Sequence, residues 1–113
     1  MLSKEHRLRH DRDFDRLFKE GHKAYSFPFS LRFMPNQRKL SRFATVVGIK
    51  VSKRAVERNR LRRQMREVIR PLLPNLLPGM DVAITAQKEA KGMSYAEIEQ
   101  GLIKAFKKAK LLL

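Results

Sequence analysis

Apolar residues recur along this chain in two rhythms, and the switches between them predict its elements. Phe14, Leu17 and Phe18 stand at i, i+3 and i+4, the spacing of one helical face, in a segment that Asp11 or Asp13 can cap and Gly21 ends. From Tyr25 to Met34 the rhythm becomes alternation. Phe27, Phe29, Leu31 and Phe33 fall on one side, with Ser26, Pro28, Ser30, Arg32 and Met34 on the other. This predicts a half-buried strand, or two short ones broken at Pro28. Pro35-Asn36-Gln37-Arg38 turns the chain. Arg42 to Ser52 then alternates again, with Phe43, Thr45, Val47, Ile49 and Val51 inward. Ala55 to Leu73 returns to the helical period and is closed by Pro71 and Pro74, and Pro78-Gly79 turns into a short strand from Met80 to Gln87. Ser94-Tyr95-Ala96-Glu97 has capping-box spacing ahead of the apolar stripe Ile98, Leu102, Ala105, Phe106 and Ala109. The order is helix, two or three strands, helix, strand, helix. It predicts an α+β fold, a single-domain α-β sandwich over residues 1–113, with parallel strands on either side of the long helix as in a βαβ unit.

Charge changes this picture from a fold into a partner. Twenty-six Lys and Arg against eleven Asp and Glu leave a formal charge of +15 on 113 residues, a self-repulsion that a polyanion relieves. No apolar run approaches the roughly 18 residues of a spanning helix, and the opening MLSKEHRLRH has no secretory apolar core. A soluble, cytoplasmic protein that binds nucleic acid and no membrane is therefore expected. The absence of cysteine excludes disulfides, a thiol nucleophile and Cys-based zinc sites.

The basic residues concentrate in the long helix. On a wheel of 3.6 residues per turn, Leu61, Met65, Val68, Ile69 and Leu72 gather on one face, leaving Asn59, Arg62, Arg63, Arg66 and Arg70 on the other. Arg60 and Lys53 flank that stripe, and Arg58 falls nearer the apolar side, where anchoring the helix is as natural a role as binding. A face built only for solubility mixes signs at i, i+4. Here seven arginines between Arg54 and Arg70 meet only Glu57 and Glu67, and no lysine. Arginine in that excess suits forked recognition of phosphates and stacking on bases. A helix held between strands is poorly placed to enter a DNA major groove, whereas a cationic wall beside aromatics suits single-stranded RNA. DNA is not the expected partner.

Other chemistry is thin. His6, His10 and His22 have no evident partners for acid-base work. Asp11, Asp13 and Asp15 imitate a calcium loop whose sixth and twelfth positions would be Arg16 and His22 in place of Gly and Glu. A cap and dipole role accounts for these acids. No catalytic residue and no metal ligand is assigned to the chain. The lysines at 104, 107, 108 and 110 suit the last helix's dipole.

Arg58-Asn59-Arg60-Leu61-Arg62-Arg63-Gln64-Met65-Arg66 resembles the R-N-R-x-(K/R)-R-x-x-R signature of the bacterial ribonuclease P protein subunit. Phe14, Leu17, Phe18 and Gly21 are similar to that family's F-x-x-(L/V)-F-x-x-G helix, Val47 to Arg54 to its strand before the arginine helix, and Asp81-Val82-Ala83-Ile84 to the strand after it. The resemblance implies an α-β-β-β-α-β-α order with a left-handed crossover, against the usual preference. It implies a ribonucleoprotein endonuclease that removes the 5′ leader of precursor tRNA. In that family the RNA subunit does the chemistry with Mg²⁺ that it mainly holds, and the protein raises substrate and metal affinity without binding the ion tightly itself. The catalytic RNA and the leader are the implied partners. The leader cleft would comprise Phe14, Phe18, Arg32, Lys50, Ser52 and Lys53, and the RNA-facing helix Arg58, Asn59, Arg60, Arg62, Arg63 and Arg66. Arg32 stands where the family often has an aromatic or apolar residue, which predicts a phosphate contact there in place of stacking. Lys53-Arg54 runs into Ala55 without intervening residues, which predicts a tight loop or a later helix start. The rival readings are a general RNA-binding or ribosome-associated basic protein and a self-sufficient nuclease.

Overall fold

In the computed structural model, which describes residues 2–113, the chain runs α1 (Asp11–Glu20), β1 (His22–Ser26), β2 (Phe29–Pro35), β3 (Arg42–Val47), α2 (Ala55–Leu72), β4 (Met80–Ala86) and α3 (Tyr95–Lys108). The strands form one sheet in the order β1-β2-β4-β3. β1 pairs with β2 and β2 with β4 antiparallel, while β3 and β4 are parallel and joined across α2. The α+β sandwich and the element order read from the sequence are both present.

The alternation of the strands divides the sheet into two unlike faces. Phe29, Leu31, Phe43, Val47, Val82, Ile84 and Ala86 form the main core with Leu61, Met65, Val68 and Ile69 of α2 and Ile98, Leu102, Ala105 and Phe106 of α3. The opposite face carries only a small cluster. Leu8, Leu17 and Ala83 are buried there, with Phe14, Met34 and Ala44 packed around them.

β1 starts at His22, three residues before the alternation does, and the strands depart from the pattern most at Phe27 and after Val47. Phe27 lies in the turn between β1 and β2 and is 59% exposed, so the break at Pro28 separates two strands. β3 ends at Val47 and not at Ser52, because the chain turns at Gly48, where the Val51 amide donates to the Gly48 carbonyl (3.1 Å). Ile49 is consequently 71% exposed, although it continues the alternation, whereas Val51 is buried from within the turn. The connection to α2 is tight, and the helix starts at Ala55 with no delay. The Ser52 hydroxyl accepts from the Arg54 amide (3.2 Å) and donates to Glu57, which ties the loop to the helix's first turn.

The helix ends follow their local chemistry. Ser94 and Glu97 form the reciprocal capping box of α3, at 2.9 and 3.2 Å. Pro71 lies inside the last turn of α2 and cannot donate to the Glu67 carbonyl, which instead accepts from the Tyr95 hydroxyl of α3 (3.2 Å). α1 departs from expectation at its start. His10 occupies the N-cap position without a side-chain cap, and neither Asp11 nor Asp13 caps the helix. At the other end, a Cβ on Gly21 would stand 2.4 Å from the Leu17 carbonyl oxygen, so only glycine fits the close turn from α1 into β1.

Candidate nucleic-acid interface

α2 buries Leu61, Met65, Val68 and Ile69 against the sheet and α3, so its arginine stripe faces outward beside the edge strand β3. Asn59, Arg60, Arg63 and Arg70 are exposed there, and Lys53 is exposed just before the helix. Arg62 and Arg66 are half-buried because they bend around the strand edge. The Arg62 guanidinium donates to the Val47 carbonyl (3.0 Å) and to the Asn59 side chain. Arg66 Nε approaches the Arg62 carbonyl at 3.3 Å. Burial, together with the like charges of Arg62, Arg7 and Arg63, pushes the pKa of Arg66 down from its ordinary value. The group remains cationic, and its surroundings favour the arrival of an anion.

Arg7 belongs to the basic opening segment, to which the apolar pattern assigns no element. This segment lies along β3 through a parallel bridge between Arg7 and Phe43, and the Leu8 amide donates to the Phe43 carbonyl (2.9 Å). Leu8 is buried, so its neighbours Arg7 and Arg9 project away from the cluster it enters. Together with Phe14, Val46, Arg62 and Arg66 they line a hollow of about 260 Å³. Arg7 Nε is buried there with no hydrogen-bond partner among the described residues. The signal in the sequence was the Arg-Leu-Arg alternation, which reads as a short extended piece with its cations on one side.

Val46 also lines a second hollow of about 620 Å³, with Ile49, Lys50, Thr85 and Lys88 around it. The two hollows thus share Val46 as a wall on the sheet face that carries α1. Of the residues named for the cleft, Phe14 is half-buried at its wall and Lys50 is exposed at its far end. Phe18 is 41% exposed at the end of α1, with the Arg32 guanidinium 5.5 Å from its ring centre. Arg32 also donates to the Phe18 carbonyl (2.5 Å), so its cation is already engaged by the protein. Ser52 points inward and is buried on the far side of the loop, where it holds Glu57. That hydroxyl, reinforced by Lys91 at 3.6 Å, keeps the Glu57 carboxyl below the usual carboxylate range. Arg58 donates to the Ser52 carbonyl (3.0 Å), and it is the member of the signature that anchors the helix.

This combination of a cationic helix edge, a basic arm and an aromatic wall stands on a fold whose relatives can be compared directly. The family model for ribonuclease P matches residues 2–110. The chain belongs to the bacterial ribonuclease P protein component family. Its similarity to the ribonuclease P protein component of Synechococcus sp. is 38% identity over 116 residues, covering 99% of this chain and 87% of that one. The Exiguobacterium sp. protein is 36% identical over 113 residues, covering 97% and 95%. Among solved structures, the Staphylococcus aureus RNase P protein superposes with a TM-score of 0.87 at 27% identity, covering 96% of this chain and 98% of that one. The Thermotoga maritima RNase P protein does so at 0.80 and 29%, covering 87% and 92%. The four-stranded mixed sheet with three helices is thus the fold of the ribonuclease P protein component. Within it, the signature from Arg58 to Arg66 divides its work. Arg58 secures the start of α2, Arg62 and Arg66 guard the edge of β3, and Asn59, Arg60 and Arg63 are left facing outward.

Proposed function

We propose that this chain is the protein subunit of an RNA-based endonuclease that removes 5′ leaders from precursor tRNA. The single-stranded leader lies along the open sheet face beside α1, and the catalytic RNA meets the outward stripe of α2. The observation that carries this reading is the convergence of Arg7, Arg9, Arg62 and Arg66 with Phe14 around one hollow. A strand of RNA needs phosphate contacts and a stacking surface at one place, and a base stacked on an aromatic ring contributes about 1–3 kcal/mol. Duplex DNA is not expected there, since α2 is packed against the sheet and α3 and is not free to enter a groove.

Magnesium belongs to the RNA subunit in this reading. The chain's charge of +15 repels a free divalent cation, whereas RNA phosphates attract one. The protein raises metal affinity indirectly, by neutralising phosphates so that the RNA folds and closes around its ions. No residue of the chain is assigned a chemical step. Among the described residues no helix is long and apolar enough to cross a membrane.

A leader-dependent affinity tests this reading. With the RNA subunit present, precursor tRNA is expected to bind on the order of tenfold more tightly than the same tRNA without its leader, the equivalent of one stacked base. Equal affinities would reject the leader role and favour a general RNA binder.

A further inference from the structure

α1 is a weakly rooted element. It is 10 residues long and buries only Leu17 fully, without a side-chain cap at its start, and helices below about 12–15 residues are marginal on their own. Two arginines from the sheet grip its ends. Near the first turn, Arg42 of β3 reaches Asp13 (3.3 Å) while being held by two hydrogen bonds from its Nε and Nη2 to Asp81 of β4, at 2.8 and 2.7 Å. In the last turn, Arg32 of β2 donates to the Phe18 carbonyl, one of the oxygens a helix end leaves without an internal partner, and lies over the Phe18 ring. A cation at that end also complements the helix dipole.

We propose that Arg32 and Arg42 are positioning residues, which clamp α1 by its two ends and thereby set where Phe14 and Phe18 stand along the leader cleft. The proposal rests on the leader-binding role above and reassigns Arg32, for which the family resemblance implied a phosphate contact. The Arg42 side chain is 11% exposed and paired on both sides, so it offers no charge to RNA. The Arg32 guanidinium is held at the end of α1 by the backbone and ring of Phe18. Their effect on the leader is exerted through α1.

The test uses Asp13→Ala and Arg32→Met, which release one end each and leave the Arg42–Asp81 pair intact. The chain has no cysteine, so spin labels at Lys19→Cys on α1 and Lys104→Cys on α3 report the distance between the two layers, in the free protein and bound to the RNA subunit. The clamp predicts that either variant broadens that distance distribution and lowers affinity for leader-bearing precursor tRNA about tenfold. Affinity for the RNA subunit alone, and the salt dependence of precursor binding, should stay as they were. An unchanged, narrow distribution in both variants would overturn it. So would an unchanged distribution for Arg32→Met with a salt slope lowered by about 0.7, the signature of a lost single-strand phosphate contact. If the unaltered protein shows no leader preference, the leader role itself fails, and the label distances still decide whether the two arginines fix α1.

Discussion

Replacing Arg62 and Arg66 together by alanine is expected to weaken binding of precursor tRNA on the order of a hundredfold and to flatten its dependence on salt. Arg62 reaches the Val47 carbonyl at the end of β3, Arg66 folds back onto the Arg62 carbonyl, and both line the hollow with Arg7, Arg9 and Phe14. Burial, together with the like charges of Arg62, Arg7 and Arg63, pushes the pKa of Arg66 down, so its charge is opposed where it stands. A phosphate entering that space removes the opposition. A hydrogen bond involving a charged group contributes about 1.5–3 kcal/mol, so losing two costs about 3 kcal/mol or more. The salt slope separates this from simple damage to the fold. Each single-strand phosphate contact contributes about 0.7 to the slope of log affinity against log salt, so the double variant should lose about 1.4. Titrations at several salt concentrations check this, and an unchanged slope would show that the two side chains are not on phosphates. Arg58 does not line that hollow and instead holds the Ser52 carbonyl at the start of α2, so Arg58→Ala should leave the slope alone.

The largest effect on stability is expected from Asp81→Ala. Asp81 is 7% exposed and accepts hydrogen bonds from Arg42 at 2.8 and 2.7 Å and from the Asn36 side chain at 3.0 Å. These bonds hold the Arg42 guanidinium above its ordinary pKa, with Asp13 adding to the effect. Removing Asp81 leaves a largely buried cation facing Asp13 alone, and breaking a buried pair from one side costs about 3–5 kcal/mol. Against a typical domain stability of about 5–15 kcal/mol, the urea midpoint should fall steeply. The double variant Arg42→Met with Asp81→Leu provides the contrast. Apolar replacement of a whole buried pair is often neutral, so much of the stability should return, while leader affinity should not, because Asp13 no longer has an arginine to hold α1.

These expectations draw on parts of the molecule that the sequence reveals unequally. The inner face of α2 was readable because Leu61, Met65, Val68 and Ile69 repeat at the helical period over several turns, and nothing local competes with that pattern. The outer face followed by exclusion. The ends of the strands were harder to place. Ile49 and Phe27 keep a perfect alternation, yet the chain has already turned at Gly48 and at Pro28, and a period of two carries no information about where a ladder stops. The roles of Arg32 and Arg42 were hidden for a different reason. Alternation assigns both to the face away from the main core, but whether such a face is open or covered depends on partners far along the chain. Asp81 is 39 residues from Arg42, and the Phe18 carbonyl 14 from Arg32. Arg7 and Arg9 were missed as members of the interface because only the bridge to Phe43 brings the arm alongside β3. The partner itself came from the signature around Asn59, which physical reasoning could narrow to RNA and no further.

The measurement that bears most directly on the whole account is cleavage of precursor tRNA by the catalytic RNA at limiting Mg²⁺, with and without this protein. The RNA alone is expected to be nearly inactive under those conditions and the added protein to restore cleavage at the leader junction, while the protein alone cleaves nothing. Cleavage left unchanged by the protein, or produced by the protein in the absence of the RNA, would contradict it.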